Sequence, residues 1–360
     1  MRRLTLIIFT MIISGMMVIL PACLNQTATD KQKMPSEAAS AEGSSEGSTG
    51  QTPSISSSGS ANKSSAVSTD ADAEEEGGSQ PEFDAAVSSP AEQKKSGELF
   101  IEFEGAHGIV FDDNDNMFIG KKTREIYKVT PDAQASLFMS VDSLEDKTDK
   151  TKIWSMSMGP GKYIYAAAGD RILRINSEGM AETFIRDDFE GEWGACDLAF
   201  DLEENLYVVH DRMVEKYCIV SDTKPTKTTL LDGRKDFPQL RAAVGICFGR
   251  DFKELYVSDV FGNKVVKCTL KEDGTIGEMT EYTPLRSAEY METDKGGNIY
   301  ISLPAENRLV QIDPSGEEST VAAGNLLKEP TTLAFGKGGF ETGSLYITAK
   351  YGVFRISVEE

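Results

Sequence analysis

The chain has 360 residues, with 37 Lys and Arg against 58 Asp and Glu, a formal net charge of −21. A field of that sign repels nucleic acid and anionic lipid headgroups, and it suits cations and neutral or positively charged ligands. The five cysteines show no CxxC spacing, which argues against a zinc ribbon or a dithiol redox motif.

In chain order, the first element is a leader. Arg2 and Arg3 form a positive start, Leu4–Leu20 is a mostly apolar run, and Leu20-Pro21-Ala22-Cys23 follows at once. A basic start, an apolar core and a small residue before a cut make a secretory signal. The stretch resembles a bacterial lipoprotein signal, with residues 1–22 removed and Cys23 as the lipidated first residue of the mature chain; Pro21 departs from the usual box. The resemblance implies a membrane partner through Cys23 and a location on the bacterial cell membrane, facing outside the cytoplasm. An uncleaved anchor is the alternative, since 17 helical residues span about 26 Å, slightly short of a bilayer core.

Residues 24–97 are dominated by Ser, Ala, Gly, Thr and Glu, with Phe83 as their one aromatic. Such a segment cannot bury enough apolar surface to offset its ordering entropy, so a disordered tether is expected over 23–97. As a coil it would span roughly 45–50 Å. It carries 12 acidic and 5 basic residues, which with the leader's two arginines leaves a net −16 on residues 98–360.

From about residue 107 one pattern returns six times: a short apolar stretch, a turn rich in Asp and Gly, and a strand with an aromatic near its middle. The copies read GIVFDDNDNMFIG, SMSMGPGKYIYAA, LAFDLEENLYVV, ICFGRDFKELYVSD, METDKGGNIYIS and LAFGKGGFETGSLYIT. Their markers Phe118, Tyr165, Tyr207, Tyr256, Tyr300 and Tyr346 are spaced by 47, 42, 49, 44 and 46 residues. That period, built of short strands and turns, predicts an all-β, six-bladed β-propeller over residues 98–360. A third strand follows each marker and a fourth follows five of them. The sixth blade is one strand short, and Leu99–Phe103 (LFIEF) has no blade of its own. It is expected to close the last blade as its outer strand, removing an open edge.

In a propeller the innermost strands run beside a central channel. Registered on the markers, the position opening each innermost strand holds His107, Trp154, Cys196, Val244, Glu289 and Thr331, with Asp197 beside Cys196. Closure of the ring would gather these residues from distant sequence into one candidate site. Trp154 suits an anchor for a sugar, peptide or aromatic ligand and equally suits a core position. Trp193, close before Cys196, would extend the same surface. His210, at the end of a second strand, reads as an exposed loop position. Cys196, Cys218, Cys247 and Cys268 read as small buried apolar residues.

These opening positions and the strands after them carry a family resemblance. HGIVFDDNDNMFIG, VGICFGRDFKELYVSDVFGNKVVKCTL, EYMETDKGGNIYISLPAENRLVQID and PTTLAFGKGGFETGSLYITAKYGVFRI resemble the corresponding blades of the senescence-marker-protein/gluconolactonase family, over residues 99–360. Members are six-bladed propellers, and many are divalent-metal-dependent lactonases or ester hydrolases. Their metal is held by a Glu at the first blade, an Asn at the fourth and an Asp at the fifth, with a further Asn near the third. Carried over, the Glu falls on His107, the blade-four Asn on Val244, the Asp on Glu289 and the blade-three Asn on Cys196, next to Asp197. Only Glu289 keeps its chemistry. Calcium and magnesium want oxygen ligands, so the resemblance leaves His107 and Glu289 as a pair better suited to zinc or another transition metal.

Two functions follow. In one, the propeller is a binding module that captures a small ligand or protein partner at the channel mouth, through Trp154, Cys196, Asp197, Val244 and Thr331. In the other it is a metal-dependent hydrolase of lactones or related esters, with His107 and Glu289 as catalytic residues and Glu289 as general base. A lyase opening a cyclic ester with His107 as base is a third, weaker reading.

Overall fold

The computed structural model describes residues 97–219, 224–324 and 327–358. The leader, Cys23 and the Ser-rich tether lie outside the described residues. Twenty-four strands, numbered β1–β24 in chain order, form six four-stranded antiparallel sheets. The innermost strands are β2 (Ala106–Phe111), β6 (Ser155–Gly159), β10 (Asp197–Phe200), β14 (Ala243–Phe248), β18 (Met291–Thr293) and β22 (Leu333–Phe335). Each lies beside the next, β2 to β6 and so on to β22, which returns to β2. The sequence period thus corresponds to six blades around one channel.

Closure follows the expected route. β1 (Glu98–Glu102) pairs antiparallel with β24 (Gly352–Ser357), and the sixth sheet runs β1-β24-β23-β22, with β23 spanning Ser344–Ala349. Phe100 stacks edge-on against Tyr346, with ring centroids 5.3 Å apart, so the closing strand also contributes to the apolar packing of that blade.

The repeat has a physical cause in each blade. All six aromatic markers are buried on second strands, and apolar layers between neighbouring sheets make the core. Between blades one and two, for example, Val110, Phe118 and Ile126 meet Met156, Ile164 and Leu173. The acidic turns join first and second strands. Asp112, Asp201 and Asp294 each accept the backbone N–H and the side-chain amide of an Asn four residues on, at 2.7–3.1 Å. An Asp at that place fixes the turn by bonding its own chain, which is why the motif recurs.

One expectation fails here. His210 is not an exposed loop residue: it lies on β11 (Leu206–His210), is only 3% exposed, and its Nδ1 accepts the Glu190 N–H at 3.0 Å. The loop carrying Phe189 and Glu190 folds over it, with the Phe189 ring edge-on at 5.3 Å. Cys196, Cys218, Cys247 and Cys268 are buried, as expected.

Candidate functional site

Because one blade is repeated by rotation, residues at the same register form tiers across the channel. The tier at the strand starts is the one singled out from sequence: His107, Trp154, Cys196, Val244, Glu289 and Thr331. Its groups are largely spent on the wall. The His107 Nδ1 lies 2.6 Å from the Trp154 carbonyl oxygen, and burial holds the imidazole down at about 4 against the opposing pull of that hydrogen bond. Trp154 donates its indole N–H to the Trp193 carbonyl at 3.0 Å. The Cys196 thiol donates to the Gly194 carbonyl at 3.2 Å, and burial, with Asp197 and Glu289 nearby, keeps it protonated. Val244 is buried, and the Thr331 and Thr348 hydroxyls are 2.8 Å apart. The Glu289 side chain makes no hydrogen bond or ion pair among the described residues, and burial pushes its carboxyl up to about 7.

One residue on, Tyr290 changes the picture. Its ring stands edge-on to His107 at 5.5 Å, and His107 in turn stands edge-on to Trp154 at 5.4 Å. Tyr290 belongs to blade five and His107 to blade one, so this contact crosses the channel rather than following its rim. Burial first, then the nearby Asp197 and Glu289 carboxyls, raises the Tyr290 hydroxyl well above the ordinary phenol range. The strand-start end is therefore plugged by aromatic rings. At the same end β14 closes tightly on the start of blade five, for a Cβ on Gly245 would sit 2.1 Å from the Glu289 carbonyl oxygen. His107 and Glu289 are brought to the same end, yet they share no hydrogen bond or ion pair.

Beyond the plug the channel opens into a cavity of about 710 Å³ lined by all six innermost strands. It runs from Ser155, Asp197, Tyr290 and Thr332 to Arg250, Lys295 and Lys337 at the opposite face, and no strand-start residue lines it. Side chains alternate along a strand, so the positions one and three after the strand start share the channel face. The position three after holds Val110, Ser157, Ala199, Cys247, Glu292 and Ala334. Five compact side chains and one carboxylate explain both the hollow and its polarity.

Two carboxyls face each other electrostatically in this space. Asp197 is 6% exposed; its Oδ1 accepts the Leu198 N–H at 2.9 Å and its Oδ2 the Ile246 N–H at 3.0 Å. Burial pushes it up to about 7, although those bonds and one from the Ser155 hydroxyl favour the charged form. Glu292 is half-buried, and its side chain has no hydrogen bond or ion pair among the described residues. Burial first, then the Asp197 charge, raises it to about 7, with Lys337 pulling the other way. Asp197 was visible from sequence as the neighbour of Cys196. Glu292 and Tyr290 were not, though on blade five the position equivalent to Asp197 is Tyr290, and one step of two from it reaches Glu292.

The donor set does not fit the divalent metal that the family resemblance implies. A calcium or magnesium site needs several oxygen ligands, and the strand-start tier offers one carboxylate, an engaged imidazole, a protonated thiol and an alkyl group. Among the described residues no three His, Cys, Asp or Glu side chains are grouped so as to hold a metal ion.

Comparison with known proteins gives the lineage. Residues 106–351 match the family described as SMP-30/Gluconolactonase/LRE-like region. No curated protein matches the chain. Among solved structures, a gluconolactonase from Xanthomonas campestris is 13% identical with a TM-score of 0.59, covering 72% of this chain and 87% of its own. A calcium-binding protein, regucalcin, from Agrobacterium tumefaciens is 14% identical with a TM-score of 0.57, covering 74% and 95%. Virginiamycin B lyase from Staphylococcus aureus is 13% identical with a TM-score of 0.52, covering 71% and 96%. At these identities the likeness is one of fold.

Proposed function

The chain belongs to the SMP-30/gluconolactonase/LRE-like family, and from that premise we propose that it is a binding module that takes up a small molecule in its central channel. The observation that carries this is the cavity of about 710 Å³ reaching all six blades. That size falls in the range of pockets that enclose a small ligand. Its apolar walls supply contact area, and Ser157, Asp197 and Glu292 supply a few polar groups to fix orientation. The test is a thermal-shift screen of small molecules on the full chain and on Ala334→Phe, which fills the hollow. Ligands that raise the midpoint of the wild type and lose that effect in the variant support the reading. Hits indifferent to Ala334→Phe, or no hits, sink it.

A second reading rests on Glu289. A lone carboxyl standing at about 7 has the basicity of a general base at neutral pH. Hydrolysis of a lactone or ester panel, with and without zinc, manganese or calcium, and its loss in Glu289→Gln would favour the hydrolase. The leader reading adds a location: a lipid on Cys23 would hold the propeller outside the cytoplasm. Cys23→Ser should then release the protein from membranes into the soluble fraction.

A further inference from the structure

The cavity has a chemical asymmetry that the binding reading alone does not explain. The tier three positions after the strand starts is small or apolar on five blades, and a carboxyl whose side chain makes no hydrogen bond interrupts it on blade five. A buried charge costs free energy unless it is paired, and one held without a partner marks a place where a partner is supplied from outside. The charged and titratable groups around Glu292 are few. Asp197 faces it from β10 and the Cys247 thiol from β14. Tyr290, Asp294 and Lys295 lie on its own strand and turn, and Arg250 and Lys337 lie at the open rim. β2 and β6 bring no charge to the cavity.

Four of these neighbours have settled roles. The Asp294 carboxylate is tied to Asn298 and Tyr300. Asp197 bonds to the backbone of its own blade and of blade four. Burial pushes the Cys247 thiol up to about 12, so it stays neutral. Lys337 is exposed at the rim and makes no ion pair with Glu292 among the described residues. The Glu292 carboxyl thus faces that of Asp197, with Lys337 attracting it from the rim.

Resting on the channel-binding reading, we propose that the cavity takes an amphipathic primary amine, which enters from the face bearing Lys337 and sets its ammonium against Glu292 on the side of Asp197. The apolar body would then lie against Val110, Ala199, Cys247 and Ala334. The ammonium supplies donors to a carboxylate that has none, and its charge relieves the repulsion between two like-charged groups. A neutral ligand of the same shape would leave that repulsion in place, and an anionic one would add to it. The acidic propeller attracts such a cation over long range, and Arg250, Lys295 and Lys337 oppose it at the doorway itself.

Binding a cation here draws Asp197 and Glu292 into their charged forms and releases protons. For each carboxyl proton released, affinity should rise about tenfold per pH unit below 7 and level off above it. The probes are hexylamine, hexanol and hexanoate, titrated calorimetrically into the full chain from pH 5 to 8. We expect hexylamine to bind with that pH dependence, and to bind at least tenfold more weakly to Glu292→Gln and to Ala334→Phe. A melting midpoint for Glu292→Gln no lower than that of the wild type would show that the loss is not one of folding. Equal hexylamine affinity in Glu292→Gln, or a pH-independent affinity in the wild type, overturns the proposal. Binding of hexanol or hexanoate in place of the amine, lost in Ala334→Phe, overturns it while leaving the channel reading intact. If no probe binds, both fall.

Discussion

Asp197 joins three blades through one side chain. It sits on blade three, accepts the Ile246 N–H of blade four and takes a hydroxyl bond from Ser155 of blade two. Asp197→Ala would strand a buried N–H and should cost about 2–3 kcal/mol, whereas Asp197→Asn keeps an acceptor and should cost about 1 kcal/mol. Urea midpoints of the two variants check this, and equal losses would mean that the acceptor is not what matters. The contrast between Asp197 and Glu292 also shows where sequence reading stopped. The opening position of each innermost strand can be found by aligning markers. Which later positions face the channel depends on pleat and on backbone irregularities, such as the register shift between His107 and Ile109. His210 was misread for a related reason: its cover comes from Phe189 and Glu190, twenty residues earlier, and no local pattern announces that fold-over.

At the scale of elements, the closing strand is the part most open to test. β1 is held to β24 by backbone pairing, by ion pairing of Glu98 with Arg355, and by Phe100 against Tyr346 and Phe340. The ion pair is exposed and worth at most about 1 kcal/mol. The half-buried ring contributes more, so Phe100→Ala should cost about 2 kcal/mol. It should also speed proteolysis of β1 relative to the inner strands, read by mass spectrometry of limited digests. This strand was legible in the sequence because blade six lacked a partner and LFIEF lacked a blade. Its ends were legible to within a residue: it was expected at Leu99–Phe103 and runs Glu98–Glu102.

For the whole molecule, the channel sets an unusual response to pH. Asp197, Glu289 and Glu292 stand at about 7 in the folded protein, above the roughly 4 of an unfolded carboxyl. The folded state therefore binds more protons than the unfolded chain between those values, and the stability these groups contribute is lost as pH rises through 7. His107 opposes this. Held at about 4 when folded, it costs stability as pH falls from 6.5 towards 4. Three groups outweigh one, so unfolding free energy should rise by on the order of a few kcal/mol between pH 7.5 and 5.5. Below about pH 4 the trend reverses, since Asp170, pushed up by burial but held at about 2 by bonds from Arg171, Thr148 and Thr151, loses its charge last. Denaturation curves across pH 4–8 read this directly, and a steady gain up to pH 8 would contradict it. The aromatic plug has a kinetic consequence as well. A passage with a floor of rings has a single doorway, so arrivals and departures share it. A guest taken up through the face bearing Lys337 would have to leave by that same face, so its rim would set the pace of exchange.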